Sequence, residues 1–158
     1  MSKTILITGG AGFIGSNFVP YFCEKYPEYK IINLDKLTYA GNLDNLKECE
    51  NSSNYTFIQG DICDAELIEK IFNEYDVRGV IHFAAESHVD NSIKGPGAFI
   101  NTNIVGTFNL LDAARRHWME KPGVVKSGYE NARFHHISTD EVYGTLGDTG
   151  MFREDTPY

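Results

Sequence analysis

The sequence predicts an α/β fold, a doubly wound parallel sheet with helices on both faces, and three observations carry that expectation. Short β-branched and aliphatic runs alternate with longer amphipathic stretches along the chain, the pattern of strand–helix–strand units joined by right-handed crossovers. The first run feeds a glycine cluster that opens a helix, and the second run ends on an acid. With 158 residues, 42% hydrophobic and 23% charged, the chain is long and apolar enough to bury one core.

The first strand is Thr4 to Thr8, an uninterrupted apolar run suited to burial on both faces. It leads into Gly9-Gly10-Ala11-Gly12-Phe13-Ile14-Gly15, in which glycines 9, 12 and 15 form G-x-x-G-x-x-G, a relative of the Rossmann fingerprint. The spacing has a physical cause. Gly9 permits a tight turn, Gly12 lets the backbone approach a pyrophosphate, and Gly15 allows helix to pack closely on strand. The helix N-terminus then directs amides and dipole at phosphates. Its apolar periodicity runs through Phe22, and Phe18, Tyr21 and Phe22 are read as core.

A second strand, Ile31 to Asp35, ends twenty residues after Gly15. A carboxylate there accepts hydrogen bonds from ribose hydroxyls and repels a 2′-phosphate, which favours NAD over NADP. Lys36, not an arginine, follows it. Tyr55 to Gln59 reads as the third strand, 65–75 as a helix, and Val80 to Phe83 as the fourth strand. A long helix is expected over 101–118, with Ile104, Phe108 and Leu111 on successive turns; 120–131, with Pro122, Gly123 and Gly128, reads as a loop. The fifth strand, Phe134 to Ser138, delivers Thr139, Asp140, Glu141 and Tyr143 to its C-terminal end. Ligands bind at that end of an open parallel sheet. A Thr-Asp-Glu run alone equally suits a turn or cap; the dinucleotide-binding unit before it gives it weight.

Composition excludes several classes. A net charge of −8 and a pI near 5.0 argue against nucleic-acid or anionic-membrane partners. There is no apolar run of membrane-spanning length and no signal-peptide pattern at the N-terminus. Cys23, Cys49 and Cys63 are scattered and odd in number, which fits reduced thiols in a cytoplasmic protein. His82 and His88 have no third ligand in register, and His135 and His136 lie on alternate faces of a strand, so no metal site is expected.

The motifs Thr8 to Gly15, Asp61-Ile62, Ala84-Ala85-Glu86-Ser87 and Asn103 resemble the extended short-chain dehydrogenase/reductases, a family that modifies nucleotide sugars. Within it, Asp35 to Leu43, Ala85 to Asp90 and Ser138 to Gly144 are similar to the dTDP-glucose 4,6-dehydratases. The resemblance implies NAD as cofactor, held by Gly9, Gly12, Phe13, Ile14 and Gly15. It puts Asp35, Lys36, Leu37 and Thr38 with Asp61 and Ile62 around the adenosine, and Phe83, Ala84, Ala85, Ser87 and Thr102 at the nicotinamide side. Ser87 and Thr139 would also touch substrate, with Asp140 as acid and Glu141 as base.

That pair suits the implied lyase reaction on dTDP-glucose. Oxidation at C4 makes the C5 hydrogen α to a carbonyl; a carboxylate then removes it while an acid helps the C6 hydroxyl leave, and hydride returns to C6. Such chemistry needs neighbouring carboxyl groups with pKa values driven apart. The resemblance further implies a cytoplasmic homodimer in dTDP-rhamnose and polysaccharide precursor synthesis. The family's Tyr-x-x-x-Lys and substrate-binding part would lie past Tyr158, so residues 1–158 are expected to be the NAD-binding Rossmann domain of a longer enzyme. Another nucleotide-sugar epimerase or dehydratase, or a catalytically incomplete NAD-binding fragment, remains open.

Overall fold

The computed structural model describes residues 3–158. Its strands, in chain order, are β1 Thr4–Thr8, β2 Lys30–Asp35, β3 Tyr55–Gln59, β4 Val77–His82, β5 Met119–Lys121, β6 Val124–Val125 and β7 Arg133–His136. Five form one parallel sheet in the order β3-β2-β1-β4-β7. The chain winds outward from β1 to β3, then returns past β1 to build β4 and β7. This reversal between β1 and β4 opens a crevice at the C-terminal strand ends.

Helices cover both faces. Helix α1, Gly15–Lys25, lays Val19 and Cys23 over Ile7 and Ile31, with Leu46 and Cys49 completing that cluster. On the other face α2, Ala65–Tyr75, contributes Ile68, Ile71 and Phe72, which pack with Leu6, Ile32, Leu34 and Val80. Leu6, Ile7, Ile31, Ile32 and Leu34 are each 0% exposed, which is why β1 and β2 read as continuous apolar runs rather than alternating ones. Asp64 caps α2 by accepting the Leu67 amide, and Asp76, at a left-handed φ of 47°, ends it. Burial pushes the Cys23 thiol up to about 12, with Cys49 beside it, so both behave as small apolar side chains.

The segment 101–118 is not one regular helix. It follows α3, Val89–Lys94, and α4, Pro96–Phe99, as a π-helical stretch Ile100–Gly106 that passes into α5, Thr107–Trp118. Two tertiary anchors sit in the wide turns. Asn103 pairs its amide with the Glu86 N–H and C=O, both at 2.8 Å, and Gly106 lies so close to Ile62 that a Cβ would stand 2.5 Å from it. The expected loop 120–131 contains the hairpin β5–β6, turned at Pro122-Gly123 with Gly123 at φ 80°. Pro-Gly at a turn centre signals this conformation. The strand β4 starts three residues earlier than the sequence suggests, and β7 ends at His136, although the Ile137 amide still donates to the His82 carbonyl at 3.0 Å. Tyr21 is a correction: it lies 52% exposed and carries the Lys25 ammonium over its ring.

Candidate functional site

At the C-terminal ends of β1 to β4 the chain lines a half-open cavity of about 330 Å³. Gly9, Gly12, Phe13, Ile14, Gly15, Asp35, Lys36, Thr38, Asp61, Ile62, Phe83, Ala84, Ala85, Ser87 and Thr102 all line it. Fifteen positions spread over the first two-thirds of the sequence are thus brought to one place. Leu34, Ala40, Gly41, Gly60, Glu86 and Ile137 join them. Leu37 does not line it: at φ 57° its side chain turns away to pack with the α1-side cluster, and only its backbone serves the site.

The glycine turn is shaped by close approaches. Gly9 has φ 72°, and a Cβ there would stand 2.6 Å from the Ala84 nitrogen; its amide donates to the Leu34 carbonyl at 2.9 Å. A Cβ at Gly15 would meet the Gly9 carbonyl at 2.4 Å, so at Gly15 the start of helix α1 packs on the turn itself. At Gly12 the nearest atom to such a Cβ is the Gly9 carbonyl at 3.3 Å, and the missing side chain leaves the cavity floor bare. Ile14, at the N-cap, supplies no capping side chain, and no acid stands in the first turn. The Ser16 and Asn17 amides already donate to the Gly12 and Ile14 carbonyls at 2.9 and 3.2 Å, which leaves the Phe13, Ile14 and Gly15 amides at the helix start for an anion.

Beneath the turn lies a contact that sequence reading missed. Asn33 is fully buried, donates from Nδ2 to the Tyr55 hydroxyl at 2.9 Å, and its Oδ1 finds no hydrogen-bond partner among the described residues. That oxygen faces Gly10, where a Cβ would lie 2.1 Å away. The signal was an amide inside the apolar run Ile31-Ile32-Asn33-Leu34.

Asp35 is 8% exposed and accepts from Ala11 N–H at 2.9 Å through Oδ2 and from Leu37 N–H at 2.8 Å through Oδ1. The carboxylate thus ties the end of β2 to the glycine turn, and each oxygen retains a lone pair for a ligand hydroxyl. Beside it, Lys36 Nζ stands 2.7 Å from Asp61 Oδ2, while the Cys63 amide donates to Asp61 Oδ1 at 2.9 Å. Burial alone would raise the Asp61 carboxyl, but the hydrogen bonds from Lys36 and Cys63 outweigh it and hold it below the usual range.

At the other end, Phe83 N–H donates to the Thr8 carbonyl at 2.9 Å, extending β4 past its last residue. His82, 1% exposed, bridges Thr8 Oγ1 at 2.6 Å and Thr107 Oγ1 at 2.9 Å. Burial, assisted by the neighbouring His136, pushes its pKa down to about 4, so it is a neutral strut between sheet and helix.

Thr139, Asp140 and Glu141 follow Ile137 but lie outside the cavity lining, and all three are exposed. Thr139 caps a one-turn 3₁₀ helix, Asp140–Tyr143, by accepting the Glu141 amide at 3.3 Å, and its hydroxyl donates to Asp140 Oδ1 at 3.3 Å. The capping use and the display of two carboxyl groups therefore coexist in one turn. A bare glycine floor, an uncapped helix start, a carboxylate at one end and apolar residues at the other fit a dinucleotide.

Comparison with known proteins agrees with this geometry. A family model described as GDP-mannose 4,6 dehydratase matches residues 6–158. The dTDP-glucose 4,6-dehydratase of Xanthomonas campestris pv. campestris is 52% identical over 155 residues, 98% of this chain and 43% of its own. A Bacillus anthracis dTDP-glucose 4,6-dehydratase solved in complex with NAD superposes with TM-score 0.79 at 44% identity, covering 98% of this chain and 43% of that one. The Streptomyces venezuelae enzyme of the same name, with NAD and TYD bound, gives TM-score 0.80 at 43% identity over 98% of this chain and 44% of that one. The chain thus spans less than half the length of these relatives.

Proposed function

The chain belongs to the family that the GDP-mannose 4,6 dehydratase model describes, and on that premise we propose that it is the NAD-binding part of a dTDP-glucose 4,6-dehydratase. The observation that carries the reading is the cavity at the C-terminal strand ends. It gathers the glycine turn, Asp35, Asp61 and the Phe83–Ser87 segment, with Ile137 leading out of it to Thr139, Asp140 and Glu141. Bound NAD would accept two electrons from the sugar at C4 and return them at C6. The amides of Phe13 to Gly15 at the start of α1 and the bare Gly12 hold its diphosphate, and Asp35 receives the adenosine ribose. Phe83, Ala84 and Ala85 keep water from the reacting end, while Ser87 and Thr102 orient it.

Glu141 takes the C5 proton once C4 is a ketone, Asp140 gives a proton to the departing C6 hydroxyl, and Thr139 hydrogen-bonds the substrate. Such acid–base assistance is worth on the order of 10²–10⁴ in rate. Epimerisation requires no C5 abstraction, so the adjacent carboxyl groups favour the dehydratase over its epimerase relatives. C4 oxidation would draw on a tyrosine–lysine pair, which by resemblance to the family follows a Thr-Pro-Tyr such as Thr156-Pro157-Tyr158. The product, a 4-keto-6-deoxy sugar nucleotide, is a cytoplasmic precursor for dTDP-rhamnose and polysaccharide synthesis. A second copy of the chain is the natural partner for Ile100, Ile104, Phe108 and Leu111, which stand 47–63% exposed along one helical path.

The test uses the longer protein. Glu141→Gln should still oxidise C4 and accumulate reduced cofactor, yet lose exchange of the C5 hydrogen with heavy water. Asp140→Asn should keep that exchange and slow water loss. Undiminished exchange in Glu141→Gln would refute the assignment.

A further inference from the structure

Among the residues lining the cavity there is one cationic side chain, Lys36, against three carboxylates, Asp35, Asp61 and Glu86. Its placement follows from the sheet. β2 and β3 pair in parallel with Asp35 opposite Gln59, and the Gly60 amide donates to the Asp35 carbonyl at 3.0 Å. Lys36, one residue past Asp35, and Asp61, two residues past Gln59, therefore emerge from neighbouring strand ends close enough to meet. Lys36 Nζ meets Asp61 Oδ2 at 2.7 Å, and the Cys63 amide fixes the other Asp61 oxygen.

We infer that Asp61 is a specificity-determining residue: by pairing with Lys36 it withholds the cavity's one ammonium from a 2′-phosphate, so that rejection of NADP rests on Asp35 and Asp61 together. An unpaired ammonium directly after Asp35 would be a ready phosphate partner and would oppose the repulsion from Asp35. Asp61 neutralises that ammonium at 2.7 Å. If a phosphate draws Lys36 away, Asp61 is left as an unpaired negative charge beside a doubly negative ligand. Either way the adenosine 2′-hydroxyl is favoured. The pair is half open to water, with side-chain exposures of 58% and 30%, so it acts on selectivity and adds little to stability. The inference rests on the dinucleotide reading of the cavity.

The experiment is calorimetric titration of NAD and NADP into the wild type, Asp61→Asn, and Asp61→Asn combined with Lys36→Met, each checked for folding by circular dichroism. Asparagine keeps an acceptor for the Cys63 amide while removing the charge. The readout is the ratio of the two affinities, in which any adenine contact common to both cofactors cancels. Asp61→Asn should narrow the NAD preference by about ten-fold, the gain shrinking in high salt, and the double variant should lose that gain. If Asp61→Asn does not fold, Asp61→Thr with and without Lys36→Met gives the same comparison. An unchanged ratio, or a gain that survives removal of Lys36, overturns the inference while leaving the cavity a dinucleotide site. Failure of the wild type to bind NAD overturns the functional reading and the inference with it.

Discussion

Both carboxylate oxygens of Asp35 accept backbone amides, from Ala11 and Leu37. Asp35→Ala should therefore act twice. Loss of the ribose acceptor should weaken NAD by ~1–3 kcal/mol and relax discrimination against NADP, and release of the Ala11 amide should lower the melting temperature. Binding isotherms for both cofactors with a thermal melt check the two effects separately; an unaltered NAD affinity would remove Asp35 from the site. Gly10 offers a companion test. A methyl group there would intrude on Asn33 Oδ1 at 2.1 Å, so Gly10→Ala should destabilise by ~1–3 kcal/mol. Gly10→Ala with Asn33→Ala should recover part of that loss in urea unfolding. Additive losses in the double variant would show that the two positions do not meet.

At the level of elements, His82 couples β1, β4 and α5 through Thr8 and Thr107. Its pKa falls from the ordinary 6.5 to about 4 on burial, so the folded state resists protonation that the unfolded chain accepts. Stability should then be full at neutral pH and decline as pH falls below about 6.5, levelling off near 4, with a loss of about 2 kcal/mol between roughly pH 7 and pH 5. Urea titrations at the two pH values measure it, and His82→Gln should flatten the slope whatever it does to absolute stability. A slope that persists in the variant would place the proton elsewhere. This strut marks the boundary of what the sequence reveals. β1 and β2 were legible because local pattern determines them: apolar runs buried on both faces, the first leading into a glycine turn and the second ending on Asp35. The π-helical stretch, the Asn33–Gly10 contact and the His82 bridge were not, because each depends on residues that meet only after the sheet is built. The β5–β6 hairpin could have been read from Pro122-Gly123, had its two short flanking runs been weighed.

For the molecule as a whole, the path of Ile100, Ile104, Phe108 and Leu111 leaves more apolar surface open than scattered side chains would. Phe108→Glu should shift the protein toward monomer in sedimentation without altering its circular dichroism; an unchanged sedimentation profile would assign the path to some other contact. On the proposed dehydratase reading, the carboxyl groups at 140 and 141 would also need a base for C4 oxidation, which the family supplies from a Tyr-x-x-x-Lys that residues 1–158 do not contain at the matching spacing. The 158-residue chain alone should accordingly yield no 4-keto-6-deoxy product from dTDP-glucose and NAD. Turnover would place that base within the chain, with Tyr143 and Tyr158 the first candidates.

The central claim is that this chain builds a dinucleotide site, and direct titration of NAD into the wild type and Gly12→Val tests it most sharply. Gly12 lacks the left-handed φ of Gly9, and a Cβ there would meet nothing nearer than the Gly9 carbonyl at 3.3 Å. Once the Gly9 carbonyl gives by a few tenths of an ångström, valine's methyl groups should fill the floor where a diphosphate would lie. The account predicts saturable one-site binding of NAD to the wild type and none to a folded Gly12→Val; equal binding by the two proteins, or none by either, would contradict it.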